Sequence, residues 1–464
     1  MKLNEAVLND RDDIIFHFRN ADSVLKFDEL KNLEIYFCPY DSEDDAAEGL
    51  MNIYWKADKI LWDNFFTQYF IVFYVYYVRM LFAEDKDRKI PDQIDWKQAR
   101  ARFNMEGLIQ KFLDSPIVTG IRIMAMAKDH EVSADEIRLY LRMVHGAVLS
   151  IVWSIDHDKT QINDVLGEQK EKIDVASLAE ALNFFQWDKA NAEGIFRTFE
   201  QLIEKKEREI NMANTEEWKR WLFLDFPIEY FKCLPEMIYP RWYVASFCKD
   251  CTSTRNWAHY ADASKGICLI HKTRNGAFGR GLKIKTCHEI SSKTGRKYEN
   301  HIEPLLDVEY NSSLPRFNFF EMLGGLTGEM IDEWFHDGNG NESSYYYGNY
   351  ASPEKEEWRR KYWRAYQKHI TSKGTDWQDL KEQRVVLEDD GLFSDYRSLE
   401  DRKIKYDFDE LEGIIWGSKI NNKVKAQIRG IIEEHCKQTG RTDFTFYQAR
   451  IHPSDGKIWI EKEW

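Results

Sequence analysis

Two groupings of residues in this chain have the types and spacing to do chemistry. Cys248 and Cys251 stand at C-x-x-C spacing, with Cys268, Cys287 and His288 downstream, so thiolate and imidazole ligands for a four-coordinate zinc are at hand. The downstream half lacks a matching pair spacing, and Cys268 lies in a Gly-Ile-Cys-Leu-Ile run where a small apolar side chain packs well. A redox pair also needs a helix N-terminus to acidify one thiol, and none is expected after Cys251. The second grouping is Asp41, Glu43, Asp44, Asp45 and Glu48. Carboxylates this dense, with Glu382 joining them, could serve a metal-dependent nuclease, but acidic turns of this kind are commonly solvent faces. We assign no metal ligand. No Rossmann, Walker, zinc-finger or serine-hydrolase signature occurs.

A net charge of −14 opposes nucleic-acid binding by phosphate neutralisation, which needs a basic field. One basic stretch runs the other way: Arg280, Lys283, Lys285, Lys293, Arg296 and Lys297, opposed only by Glu289, read as a solvated hairpin. A second is the segment opened by Pro353, where Trp358, Tyr362 and Tyr366 share one helix face while Arg359, Arg360, Arg364 and Lys368 populate others. That pattern suits a protein-recognition surface and supports a non-enzymatic alternative, a protein-binding module.

The elements that position these residues fall into blocks. Ile14–Phe18 and Leu33–Phe37 are β-prone, with a helical turn over Asp22–Leu30 between them. From Trp55 to Leu234 apolar residues recur at helical spacing, and Ser133 with Glu136, and Ser177 with Glu180, match the capping box. Phe196, Phe199, Leu202 and Ile203 mark one further helix face. Strand signals return in Trp242–Cys248, Gly266–His271, Gly281–Thr286, Arg384–Leu387, Thr445–His452 and Lys457–Glu461, and Asp337–Ser352 reads as a loop. The expected fold is α+β: a split β-sheet domain built from both chain ends, 1–54 and 235–464, with a large helical insertion over 55–234. With 464 residues, 43% hydrophobic and 14% aromatic, the chain has ample material for such cores. Seven scattered cysteines and an N-terminus without signal-peptide character point to a reducing, cytoplasmic setting. Phe65–Ala83 is nearly continuous in apolar and aromatic residues, but Thr67, Gln68 and Arg79 interrupt it, so a buried central helix is expected and no membrane partner.

Three segments carry a resemblance. Leu30–Gly49 has a strand followed by an acidic turn centred on Asp45. Val244–Ile270 has Ser246, Phe247, Trp257, Tyr260, Ala261, Lys265 and Gly266 in the pattern Ser-Phe, loop, Trp-x-x-Tyr-Ala-x-x-x-x-Gly. Trp377, Glu382 and Arg384 fit a Trp, Glu-x-Arg pattern, and Leu411–Ile420 holds an Ile-x-x-Gly element ahead of a helix. The chain thereby resembles domain-of-unknown-function family 2971, and more loosely ADP-ribosyltransferase-like folds, which draw a His or Arg, an aromatic or Ser, and a Glu from three separated strands.

The resemblance implies an NAD-using transferase or glycohydrolase, a toxin or anti-phage effector, acting on a macromolecular acceptor or restrained by a regulatory protein. Cleaving the nicotinamide–ribose bond generates an oxocarbenium-like centre that a fixed carboxylate stabilises. Glu382 is expected in that role and Tyr260 beside it. Trp257 would complete an aromatic wall, Ser246, His17 and Arg19 would hold the dinucleotide, and Asp45 would close the pocket. An ion pair between Glu382 and Arg384 is the competing reading of the same strand.

Overall fold

The run Ile14–Arg19 (β1) is apolar on both sides of its pleat, and only a strand covered on both faces can bury it. It lies inside a nine-stranded sheet. The computed structural model describes residues 8–42, 49–82, 90, 96–127, 130–156, 201, 204–205, 208, 217–291, 295–326, 328–348, 353–389 and 396–463. Asp45, the Ser177–Glu180 pair and Phe196, Phe199, Leu202 and Ile203 lie outside them.

The other strands of this sheet are β2 (Cys38–Pro39), β3 (Arg241–Cys248), β4 (Ile267–Lys272), β5 (Leu306–Asp307), β6 (Glu382–Asp389), β7 (Leu411–Trp416), β8 (Thr445–Ile451) and β9 (Ile458–Lys462). Their order is β5-β6-β3-β1-β4-β7-β8-β9, with β2 also on β3. The pairs are antiparallel except β7 with β8. The fold is therefore α+β, with a sheet drawn from both ends of the chain.

The alternation of side chains separates two cores. Ile15, Ala245, Phe247, Leu269, Val385 and Trp416 bury one face against Ile428 and Ile432 of the helix Asn422–Thr439. Ile14, Phe16, Phe18, Cys248, Cys268 and Ile415 bury the other, where Trp257 packs among them.

Backbone contacts divide the chain into two compact units, Met1–Leu50 with Pro240–Pro315 and Gln367–Trp464, and Met51–Tyr239 with Arg316–Tyr366. The sequence boundaries gave all of 235–464 to the sheet domain; Arg316–Tyr366 instead folds with the helices. The cause is non-local: Arg316–Asn318 pairs in parallel with Asn52–Tyr54, and Phe319 and Phe320 then pack on Trp55, Trp62 and Phe65.

In that helical unit α1 (Lys59–Phe82) is the expected central helix, buried over most of its circumference. No helix among the described residues is long and apolar enough to cross a membrane. The second long helix, α2 (Ala134–Asp156), opens on the capping box read from sequence: Ser133 N donates to Glu136 Oε2 at 2.8 Å and Glu136 N to Ser133 Oγ at 3.3 Å. A third, α3 (Phe226–Ile238), follows a π-helical turn, Trp221–Asp225.

Candidate active site

Glu382 begins β6, and its register partner on β3 is Cys248, while Arg384 stands opposite Ser246. Residues directly opposite in an antiparallel pair share a face, so Ser246, Glu382 and Arg384 project together. The Glu382 side chain is fully buried. Ser246 Oγ donates to its Oε1 at 2.7 Å, as does Arg384 Nε at 2.7 Å. Lys373, also buried, brings Nζ to 3.2 Å from Oε2. Desolvation alone would push this carboxyl up, but the Arg384 guanidinium, the Lys373 ammonium and the Ser246 hydroxyl outweigh it and hold the group down at about 2. Glu382 N donates in turn to Tyr310 Oη at 2.8 Å, which fixes the strand end.

Tyr260 reaches the same carboxylate from a half-buried position, its hydroxyl donating to Oε2 at 3.4 Å, the long end of hydrogen-bond range. Its placement explains the Trp-x-x-Tyr-Ala-x-x-x-x-Gly spacing. Ser253 caps the helix Thr254–His259, its side chain accepting from Asn256 N. Trp257, fully buried, donates Nε1–H to Cys251 O at 2.8 Å and meets Phe18 edge-on. The chain then turns through Asp262, Ala263 and Ser264, all left-handed at φ 46°, 52° and 69°. Gly266 ends the turn where a Cβ would stand 2.2 Å from Arg19 O, so only glycine lets β4 start there.

Beside Tyr260 lies a row of rings. His259, exposed, is 4.9 Å from Tyr260 and 5.3 Å from the half-buried Trp377, centroid to centroid, and Lys373 Nζ stands 5.1 Å from the Trp377 centroid.

Ser246, Tyr260 and Glu382 are thus brought together, and three expected residues are not part of the group. Trp257 is a core anchor and forms no wall. His17 projects from β1 between Phe16 and Phe18, onto the opposite face from Glu382, where it meets Phe247 at 4.8 Å and His271 at 5.9 Å. Burial holds it neutral, well below the ordinary imidazole range. Arg19, on His17's side of the strand, is engaged by Glu29 through two hydrogen bonds, Nε to Oε2 at 3.0 Å and the second through Nη2. One dinucleotide cannot lie against Glu382 and His17 without passing through the sheet. Asp45 falls outside the described residues.

The thiols correct another expectation, for a helix does start at Thr254, close behind Cys251. Burial nonetheless pushes Cys248, Cys251 and Cys268 upward, against thiolate formation. No group of three or more His, Cys, Asp or Glu among the described residues could hold a metal ion. In the basic hairpin, Gly279–Ser291 pairs with Gly295–Pro304, and Lys285 reaches Asp407 at 3.1 Å.

Sequence reasoning missed Lys373, His259 and Tyr310. Arg384 carries a usable signal, the two-residue offset from Glu382 that puts both on one side of a strand, whereas Lys373 comes from the separate short strand Ser372–Gly374. No family model, no curated protein and no solved structure matches this chain.

Proposed function

We propose that this chain is an ADP-ribosyltransferase-like enzyme or NAD glycohydrolase centred on Glu382, Ser246 and Tyr260. The observation that carries the reading is the convergence of Ser246 and Tyr260, at 2.7 and 3.4 Å, on one carboxylate held ionised. Heterolysis of the bond between ribose C1′ and the nicotinamide nitrogen sends the electron pair out with nicotinamide and leaves an oxocarbenium ion. A fixed anion nearby stabilises that charge without reorganising, because Ser246, Arg384 and Lys373 already orient it. Water, or a nucleophile on a macromolecular acceptor, then adds at C1′ and releases its proton to bulk solvent. Tyr260, half-buried, makes the longest of the contacts to this carboxylate.

For the nuclease alternative, Glu382 is held by Arg384 and Lys373, and no second carboxylate is among its partners in the described residues; Glu43, Asp44, Asp45 and Glu48 lie outside them. Trp358, Tyr362 and Tyr366, the face read as a recognition surface, are buried in the core, and the protein-binding alternative keeps Trp363, at 49% exposure on the same arginine-bearing helix.

Etheno-NAD turnover and transfer of labelled NAD to lysate protein, in the native chain and in E382Q, S246A and Y260F, test the reading. Turnover in the native chain, lost by about 100-fold or more in E382Q and reduced about 10-fold in S246A, supports it. Absence of both turnover and transfer in the native chain ends it.

A further inference from the structure

On the face of the sheet opposite Glu382, three buried polar atoms have no hydrogen-bond partner among the described residues: His17 Nδ1, His271 Nε2 and Tyr406 Oη. Their residues keep only 6, 2 and 3% of their surface exposed. The register makes them neighbours. His17 stands opposite Leu269 and His271 opposite Ile15, so the two imidazoles are diagonal neighbours on one face of β1 and β4, 5.9 Å apart by centroid. Tyr406 meets His271 edge-on at 5.2 Å. It comes from a segment pinned by Tyr406 N donating to Leu33 O at 2.9 Å and by the pairing of Lys403–Lys405 with Glu34–Tyr36. Phe247 closes one side, 4.8 Å from His17 and 6.0 Å from His271.

A buried polar atom left unpaired costs its full desolvation, and native interiors leave few of them. Three in one contiguous set of rings point to a shared partner, and the groups themselves define its chemistry. Burial holds both imidazoles and the phenol neutral, so each residue offers a donor and an acceptor. The cation next along this side of β1, Arg19, is already engaged by Glu29, which leaves an anion without its counter-charge there. No group of three or more His, Cys, Asp or Glu among the described residues could hold a metal ion. The partner that fits is small, uncharged and able to donate and accept at once, which is water.

We infer that His17, His271 and Tyr406 form an internal water site, in which bound water bridges the two imidazoles and the phenol and ties the sheet to the segment that covers it. A buried water takes about three hydrogen bonds, which these three atoms can supply. The site is independent of the NAD reading, and it gives His17 a role on the face where the register puts it.

A crystal structure of the native chain at a resolution that shows ordered water tests this, together with magnetic relaxation dispersion of the water oxygen in solutions of the native chain and of Y406F, which keeps the ring and its packing. Water is expected within about 2.7–3.2 Å of at least two of the three atoms. The signal from long-lived water is expected to fall by about one molecule in Y406F. His17 and Tyr406 meet only through His271, so a shared water also makes their losses overlap: H17F and Y406F should each raise the unfolding equilibrium constant by about 10-fold, and the pair by well under about 100-fold. Direct hydrogen bonds among the three side chains with no water between them, or an equal relaxation signal in the native chain and Y406F, overturns the site. So does a rise in melting temperature on adding Zn2+ that Y406F and H17F both lose, which would make the bound species a metal ion.

Discussion

His17 and Glu382 project from opposite faces of one sheet, separated by β3. The register fixes this: Phe16 stands opposite Cys248, Cys248 stands opposite Glu382, and His17 is one residue out of phase with that row. A one-residue offset in a strand moves a side chain to the other face. H17F is therefore expected to leave etheno-NAD turnover within about 2-fold of the native chain, while E382Q removes it. Loss of turnover in a folded H17F chain would mean that the two faces communicate.

The acid response follows from groups of opposite kinds with the same sign. Glu382 is held at about 2, below its ordinary 4.5, so its contribution is complete above about 4.5 and is lost as pH falls toward 2. For a shift of this size the contribution is on the order of 3 kcal/mol at neutral pH. His145 is lowered to about 4 and His271 to about 3, both by burial, so the unfolded chain takes up protons below 6.5 that the folded chain refuses. Stability is thus full above 6.5 and declines from there downward, beginning well above the carboxylate range. Denaturant midpoints between pH 7.5 and 4 should fall already between 6.5 and 5 in the native chain, and the fall should be shallower in H271F. A midpoint constant down to pH 5 would contradict buried neutral imidazoles.

Much of the sheet was legible because its strands are apolar or β-branched runs bounded by turn residues. Trp242–Cys248 and Thr445–His452 are found within a residue or so of β3 and β8. Leu411–Trp416 resembles in sequence only a lead into a helix, yet it is a core strand, because a short continuous apolar run has no period to declare. Leu306–Asp307 is too short to signal at all. The assignment of Arg316–Tyr366 depended on parallel pairing with Asn52–Tyr54, a contact with no local trace. Within the site, Glu382, Ser246 and Tyr260 were legible as a motif. The exclusion of His17 was not, since alternation says that it opposes Phe16 and only the register says which face Glu382 shares.

The left-handed run after Tyr260 makes a local stability test. Non-glycine residues in this region cost roughly 1–2 kcal/mol each, and Ala263, at φ 52° and exposed, holds its conformation through Ala263 N to Ala258 O at 3.1 Å and its neighbours' bonds. Glycine there removes the Cβ penalty and returns some unfolded-state entropy, so A263G is expected to stabilise the chain by about 0.5–1 kcal/mol. The reverse substitution, G266A, is expected to destabilise strongly, because its Cβ would meet backbone at Arg19 O and Ala261 Cα, neither of which can step aside. Thermal unfolding of the two variants beside the native chain checks both signs, and destabilisation by A263G would mean that the turn is not strained.

In the helical unit, His145 carries a different kind of constraint. Its Nε2–H donates to Leu222 O at 2.8 Å, inside the π-helical turn, and that fixes the tautomer so that Nδ1 accepts from Tyr69 Oη at 2.8 Å. A π turn disturbs the regular backbone ladder, and a buried carbonyl such as that of Leu222 needs a donor. H145F would leave both the Leu222 carbonyl and the Tyr69 hydroxyl buried without this partner, a cost of about 2–4 kcal/mol. Y69F removes one hydroxyl and leaves the Leu222 bond, so it should cost only about 1 kcal/mol. The double variant should then fall short of the sum by about 1 kcal/mol or more, because the Tyr69–His145 bond is lost only once. A cycle with additive losses would show that Tyr69 and His145 do not hold each other.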